Sequence, residues 1–256
     1  MSQPDMPTPP WERPRKRPAP TRVPLTRDRI VDAAFVVLDR DGYERLSMRQ
    51  VAAELGVVVS ALYVHVNNKD ELLELMYNTL FDDVELPEPD PANWQDQVKD
   101  FARAGRRRLL AHRDMARVSM GHVPFTPELL PHVEKLLALF RAGGLPAPVM
   151  AIAGDLLSTY MEGFTMEESM WAERYREMDA GSWETIRDEI QKYFSSLPPD
   201  RFPNLVSIAE LMVDESNDYR FELGLDIIIR GLASYAEKPE HPGHPGQQEK
   251  PAEPQT

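Results

Sequence analysis

Residues 49–66 read RQVAAELGVVVSALYVHV, and this stretch decides the fold. Ala52 is small enough for two helices to cross closely. Gly56, four residues on, sits where a tight turn needs a positive φ or no side chain. Val51, Leu55, Val57 and Leu62 supply an apolar underside, leaving Ser60, Ala61, Tyr63, Val64 and His65 to point outward. Two helices this short add little to a core. Their use is to hold the second one proud of the surface, where it fits a DNA major groove.

The flanking sequence supplies the rest of a helical head. Thr26 can cap a helix with Ile30, Ala33, Ala34, Val37 and Leu38 on one face, stopped by Gly42. Ser47 with Gln50 forms a capping box for the helix through Val51, Ala52 and Leu55, and a short helix follows around Ser60 to His65. Asn68 with Glu71 forms another box, opening a longer helix with Leu72, Leu73, Met76, Tyr77 and Leu80 aligned. The run LPEPDP at 86–91 punctuates the chain. Helical periodicity then resumes over 94–112, over about 149–164 and over about 219–236, with no strand-like alternation and no internal repeat. The expected fold is all-α. A three-helix helix-turn-helix domain at 25–81 is followed by a helical ligand-binding and dimerisation domain at 90–237. A Pro/Arg-rich arm at 1–24 and a Pro-rich tail at 238–256 read as disordered.

The net charge of -13 argues against nucleic acid only until its distribution is read. Residues 1–80 are neutral, with 11 basic and 11 acidic residues, and residues 81–256 carry the whole deficit. Basic residues also cluster at Arg13, Arg15, Lys16, Arg17, Arg22, Arg27 and Arg29, a patch that either meets phosphates or solvates a tail. There is no cysteine, no apolar signal-peptide core and no membrane-length apolar run, which together point to the cytoplasm. No GxGxxG, Walker loop, HExxH or nucleophile elbow is present, and the six histidines have no zinc-like spacing within the folded part. The expectation is therefore no catalytic residue, no cofactor and no bound metal.

The segment LTRDRIVDAAFVVLDRDGYERLSMRQVAAELGVVVSALYVHVNNKDELLELM, residues 25–76, resembles the DNA-binding domain of the tetracycline-repressor (TetR) family. The match lies in DGYERLSMRQVA, the LG turn, LYVHVNNKDELL and their spacing. The resemblance implies that Arg49 contacts a base or phosphate. Ser60, Ala61, Tyr63 and His65 would lie along the groove, with Tyr63 and His65 donating to phosphates. Val59 and Val64 would touch thymine methyls, and Lys69 would hold a phosphate at a helix N-terminus. The basic arm could add phosphate or minor-groove contacts.

Weaker resemblance continues in AHRDMARVSMGHVP (111–124), LLSTYMEGFTMEE (156–168) and FELGLDIIIRGL (221–232). It implies a dimer in which the helices near 149–166 and 219–236 pair with their copies through Val149, Ile152, Leu156, Tyr160, Leu225, Ile228, Ile229 and Leu232. A purely intramolecular core competes for the same stripes. A largely apolar inducer with a polar or cationic portion is expected among Met115, Val118, Ser119, Met120, His122, Phe140, Met161, Phe164, Met166, Glu167, Trp171 and Tyr175, each of which also suits ordinary core. The family's metal-binding His is replaced by Ser119 and a nearby Thr by His122. Its drug-contacting Asn and Phe fall at Phe101 and Gly105. These departures argue against a metal–tetracycline complex. The implied function is a dimeric repressor, released from a near-palindromic double-stranded operator when ligand favours a form with misplaced heads, the fourth helix (70–81) acting as lever. Activation stays open, as do a helical protein-interaction module without DNA binding and, least favoured, an enzyme.

Overall fold

A computed structural model describes residues 24–81, 84–122, 126–177, 182–211 and 216–236. The expected tail, and the expected arm except for Pro24, lie outside the described residues. Among those described, the chain is built from helices without strands. The head comprises α1 (Arg27–Asp41), α2 (Met48–Glu54), α3 (Val59–Leu62) and the first part of α4 (Lys69–Thr79). The body comprises α5 (Trp94–Ala111), α6 (Met115–Ser119), α7 (Leu130–Ala142), α8 (Ala147–Glu177), α9 (Ser182–Ser195), α10 (Pro203–Ile208) and α11 (Asn217–Ala236).

The caps form where the sequence placed them. Thr26 Oγ1 accepts from Arg29 N at 3.3 Å, and Asn68 Oδ1 accepts from Glu71 N at 2.8 Å. The Glu71 carboxylate reaches back to the Asn67 amide, one residue before the cap, at 2.6 Å. Ser47 Oγ accepts from Gln50 N, but its hydroxyl donates to the Gln50 side chain, so the second half of that box is made between side chains. Gly56 has φ +66°, the left-handed turn its position required. α4 ends at Thr79, two residues before the expected end, and α8 continues to Glu177, well past the expected 164. Its extension EESMWAERYRE contains strong helix formers and no stop signal.

One apolar cluster lies under the head, around Ile30, Val37, Leu38, Val51, Leu62, Leu72 and Met76. It does not stop at the linker: Leu109, Met115, Ala116, Val118 and Met161 of the body belong to it. A second cluster fills the body around Trp94, Val98, Phe140, Leu157, Phe221, Leu225 and Ile229. The reading head is therefore seated on α5, α6 and α8 rather than hung from a hinge.

α5 and α11 are clamped by an antiparallel ladder of ion pairs. Lys99 Nζ meets Asp226 Oδ1 at 2.6 Å, and Arg103 grips both oxygens of Glu222 at 2.8 and 2.7 Å. The hydrogen bonds from Arg103 hold the Glu222 carboxyl below the ordinary 4.5, and those from Lys99 hold Asp226 below 3.8. Both folded values are depressed, so the clamp contributes fully above the ordinary values and fades as pH falls through the folded ones. Half-exposure of Glu222 keeps the effect modest. Urea midpoints measured from about pH 5 down to about pH 3 should fall, and less steeply in a Lys99→Met, Arg103→Met variant, which keeps only Arg230 beside Asp226.

Candidate DNA-reading head and regulatory body

α3 rests on Leu62 and Val66, both fully buried, and this fixes what it shows to solvent. Val64 is 80% exposed, Val58 70% and Tyr63 50%. Ser60 and Arg49 are exposed too, Ala61, His65 and Lys69 are half-buried, and Val59, also half-buried, packs against the head-side core. All eight expected DNA residues are thus at least partly accessible. Val58, unrecognised in the sequence, joins them because it precedes α3 in extended conformation and cannot reach the core. Arg27 braces the end of α3 by donating from Nε to the His65 carbonyl at 2.9 Å. Lys69 Nζ lies 4.6 Å from the centre of the Tyr43 ring at the start of α4.

The body departs from expectation more. Val149, Leu225, Ile229 and Leu232, expected at the dimer interface, are packed in the protomer's own second cluster. Tyr160 is turned inward as well, its hydroxyl donating to the Phe221 carbonyl at 2.9 Å, and Ile228 packs partly against the same core. Of the expected interface residues, only Ile152 and Leu156 are exposed. The physical reason is that α11 carries two apolar stripes. Phe221, Leu225, Ile229 and Leu232 face α5 and α8, while Tyr219, Leu223, Ile227 and Tyr235 lie exposed at four-residue spacing. Gly231 continues that outer row, and a Cβ there would meet nothing within 4 Å.

The expected ligand residues do not line one cavity. Met115, Val118 and Met161 belong to the head-side core, and Phe140 to the body core. Met120 and Trp171 are exposed, and the Tyr175 side chain lies outside the described residues. Glu167 is exposed and pairs with Arg220 at 3.3 Å, so it faces no apolar interior. The Phe164 ring is tilted against Tyr160 and edge-on to Phe221, and Met166 packs against the head-side core. Apolar periodicity marks pocket walls and ordinary core alike. Two clefts lie elsewhere. One of about 400 Å³ lies between Val84–Pro87 and the α5 face carrying Asp100, Phe101, Ala104 and Arg108. The other, of about 310 Å³, lies between Leu110–Asp114 and Glu168–Glu173. Among the described residues no group of acids and histidines could hold a metal ion, and no helix is long and apolar enough to cross a membrane.

Between the two cores sits a polar junction that the sequence did not announce. Ser119 Oγ on α6 donates to Glu162 Oε1 on α8 at 2.5 Å. The buried Tyr77 ring of α4 stacks on His122 with centroids 5.6 Å apart. Burial raises the Tyr77 phenol above its ordinary value, and the Glu162 carboxylate adds to this while the Ser119 hydroxyl opposes it. Burial likewise pushes Glu162 up, opposed by its bond from Ser119. His122 is held through Nδ1 against the Val118 carbonyl at 2.7 Å, an ordinary hydrogen-bonded histidine. A helix-borne Glu and a helix-borne Ser give no sequence sign of meeting across 43 residues.

These features have close counterparts in known proteins. Residues 30–76 match "Bacterial regulatory proteins, tetR family", and residues 86–235 match "Tetracyclin repressor-like, C-terminal domain". An HTH-type transcriptional regulator of Saccharopolyspora erythraea is 30% identical over 88% of this chain and 92% of its own length. The HTH-type transcriptional repressor DrrR1 of Streptomyces coeruleorubidus is 32% identical over 86% of this chain and 80% of its length. The crystal structure of apo ActR from Streptomyces coelicolor superposes with a TM-score of 0.75 at 42% identity, over 85% of this chain and 99% of that one. ActR has also been solved in complex with actinorhodin and with (S)-DNPA. With both halves matched in order, the chain belongs to the TetR family of ligand-responsive, DNA-binding transcriptional regulators.

Proposed function

We propose that this regulator represses by laying the exposed face of α3 in the major groove of a near-palindromic operator, twice per homodimer, and lets go when a small molecule of the kind ActR holds enters its body. The observation that carries the reading is the seating of α3. Leu62 and Val66 anchor it, while Val58, Tyr63 and Val64 spend apolar surface on solvent. That exposure has no use in a free protomer and a direct one against thymine methyls and the sugar–phosphate backbone. Arg49, exposed on α2, and Lys69, half-buried at the start of α4, are the cations offered to phosphates. The head, residues 25–81, does the reading, and the body, residues 90–237, takes up ligand and partner. The partner meets the outer row of α11 together with Ile152 and Leu156.

Selection of bound duplexes from random DNA tests this directly. A two-fold symmetric consensus is the expected yield, and failure to retain any duplex at low salt would end the reading. On the selected operator, Tyr63→Ala should weaken binding about tenfold. Lys69→Ala should weaken it by a similar factor across sequences and flatten the salt dependence by about two units of slope, one phosphate contact being lost in each half-site. Both variants should remain dimeric. Actinorhodin titrated into the complex should release the DNA.

A further inference from the structure

The first position of a helix is an unfavourable place for a cation, because the free amides there repel positive charge. Lys69 occupies that position in α4, directly after the Asn68 cap. The acids beside it do not offset its charge. Glu71 is bonded to the Asn67 amide and to Arg27, and Asp70 is exposed. Among the described residues no carboxylate pairs with Lys69.

The half-buried Lys69 ammonium rests instead 4.6 Å from the centre of the Tyr43 ring. A ring face attracts a cation through its quadrupole and leaves the charge uncancelled. Other cations of the head are neutralised. Arg27 is paired with Glu71, and Arg40 with Asp41 and Glu54. Arg117, which lies 4.5 Å from the centre of the same Tyr43 ring, is paired with Glu44. Of the two cations on this ring, Lys69 is the one whose charge no carboxylate meets.

The ring itself is anchored. Gly42 turns the chain at φ +81°, a conformation that favours glycine. Beyond the turn, the Tyr43 carbonyl accepts from the amide of buried Leu46 at 3.2 Å, and the Tyr43 amide donates to Asp114 Oδ2 at 2.8 Å. The Tyr43 side chain packs against the head-side core. On the other side, the Asn68 and Glu71 bonds fix the start of α4. A free lysine gives up rotamer freedom when it meets a phosphate, and one already held gives up less.

We infer that Tyr43 is a positioning residue for operator binding. Its ring holds the Lys69 ammonium, uncancelled, at the N-terminus of α4 for a backbone phosphate that the same free amides attract. The inference rests on the DNA-reading assignment of α3 and Lys69 above and adds the residue that aims Lys69.

A double-mutant cycle on the full-length dimer and its selected operator tests this. Tyr43→Leu keeps an apolar side chain over the core and removes the ring. It should weaken binding about three- to fivefold, part of the loss expected of Lys69→Ala. In the Lys69→Ala background the same change should cost less than about 1.5-fold, because nothing is left to aim. Tyr43→Phe keeps the ring face and should bind within about twofold of the parent. An equal loss in both backgrounds would mean that Tyr43 acts through the fold of the head or through Asp114 and Arg117, and would overturn the inference. A Tyr43→Leu dimer that binds as the parent does would overturn it too.

The two readings fail in different ways. If Lys69→Ala binds operator as tightly as the parent, the phosphate assignment of Lys69 falls and this inference with it. If the parent retains no duplex, it is the DNA reading that fails, and the ring's hold on Lys69 is judged on the free dimer. Lysine-selective NMR should then show the Lys69 ε-methylene protons shifted upfield by the ring, and Tyr43→Leu should return them to the free-lysine position. Protons already at that position in the parent would overturn the inference.

Discussion

Ile227→Asp is expected to leave a folded protomer that no longer holds its operator. Ile227 is 62% exposed at the middle of the outer α11 row, between Leu223 and Gly231, and makes no contribution to either core cluster. A carboxylate there costs the protomer nothing in packing. In a dimer it would be buried, unpaired, against the partner's copy of the same row, since a two-fold interface brings a patch against itself. Losing the partner converts one bivalent grip into two separate ones, and operator affinity should fall at least about a hundredfold. Sedimentation should show a single-chain species at micromolar concentration with nearly unchanged thermal unfolding. The control is two residues away. Ile229 is fully buried in the body core, so Ile229→Asp should unfold the protomer instead. An Ile227→Asp protein that stays dimeric would move the interface off this face.

That pair of isoleucines marks where the sequence was legible and where it was not. The head could be read because its determinants are local. A cap and its donor lie three residues apart at Thr26 and Asn68, and Gly56 announces its own turn. The fall of Leu62 and Val66 under α3 then follows from helical periodicity, and the exposed face follows from them. In α11, periodicity is satisfied twice, by Phe221/Leu225/Ile229 and by Tyr219/Leu223/Ile227, and nothing local says which stripe meets the chain's own core. The acids near 167 were read as pocket lining because they follow apolar residues. Their partners, Arg106 and Arg220, come from helices 62 and 53 residues away. Glu162 and Ser119, like Asp114 and Asp39, which accept from the Tyr43 and Arg113 amides, are polar residues whose significance exists only once the helices are packed.

A large loss of stability, short of unfolding, is expected at Arg106. Its side chain is 12% exposed and that of Glu168 16%, and the pair is bidentate, with Nε and Nη2 reaching the two carboxylate oxygens at 3.0 and 2.9 Å. The guanidinium also lies 4.8 Å from the centre of the fully buried Phe221 ring. Its third bond, 2.7 Å to Asp218, goes to a side chain that is almost wholly solvated and adds little. Arg106→Ala therefore removes more than an attraction. It leaves Glu168, whose side chain is 16% exposed, with Asn217 Nδ2 at 3.3 Å as its remaining hydrogen-bond partner among the described residues. A broken buried pair of this kind costs about 3–5 kcal/mol, read as a lower urea midpoint at unchanged slope. The cost lies mostly in the stranded acid, so Arg106→Met with Glu168→Met should recover most of it, whereas Arg106→Met alone should not. If Arg106→Ala loses less than about 1 kcal/mol, the pair behaves as a surface contact and water reaches Glu168 freely. α11 carries the outer row on its other side. Arg106→Ala should therefore also weaken dimerisation, through a helix held by its two remaining clamps rather than through any lost interface contact.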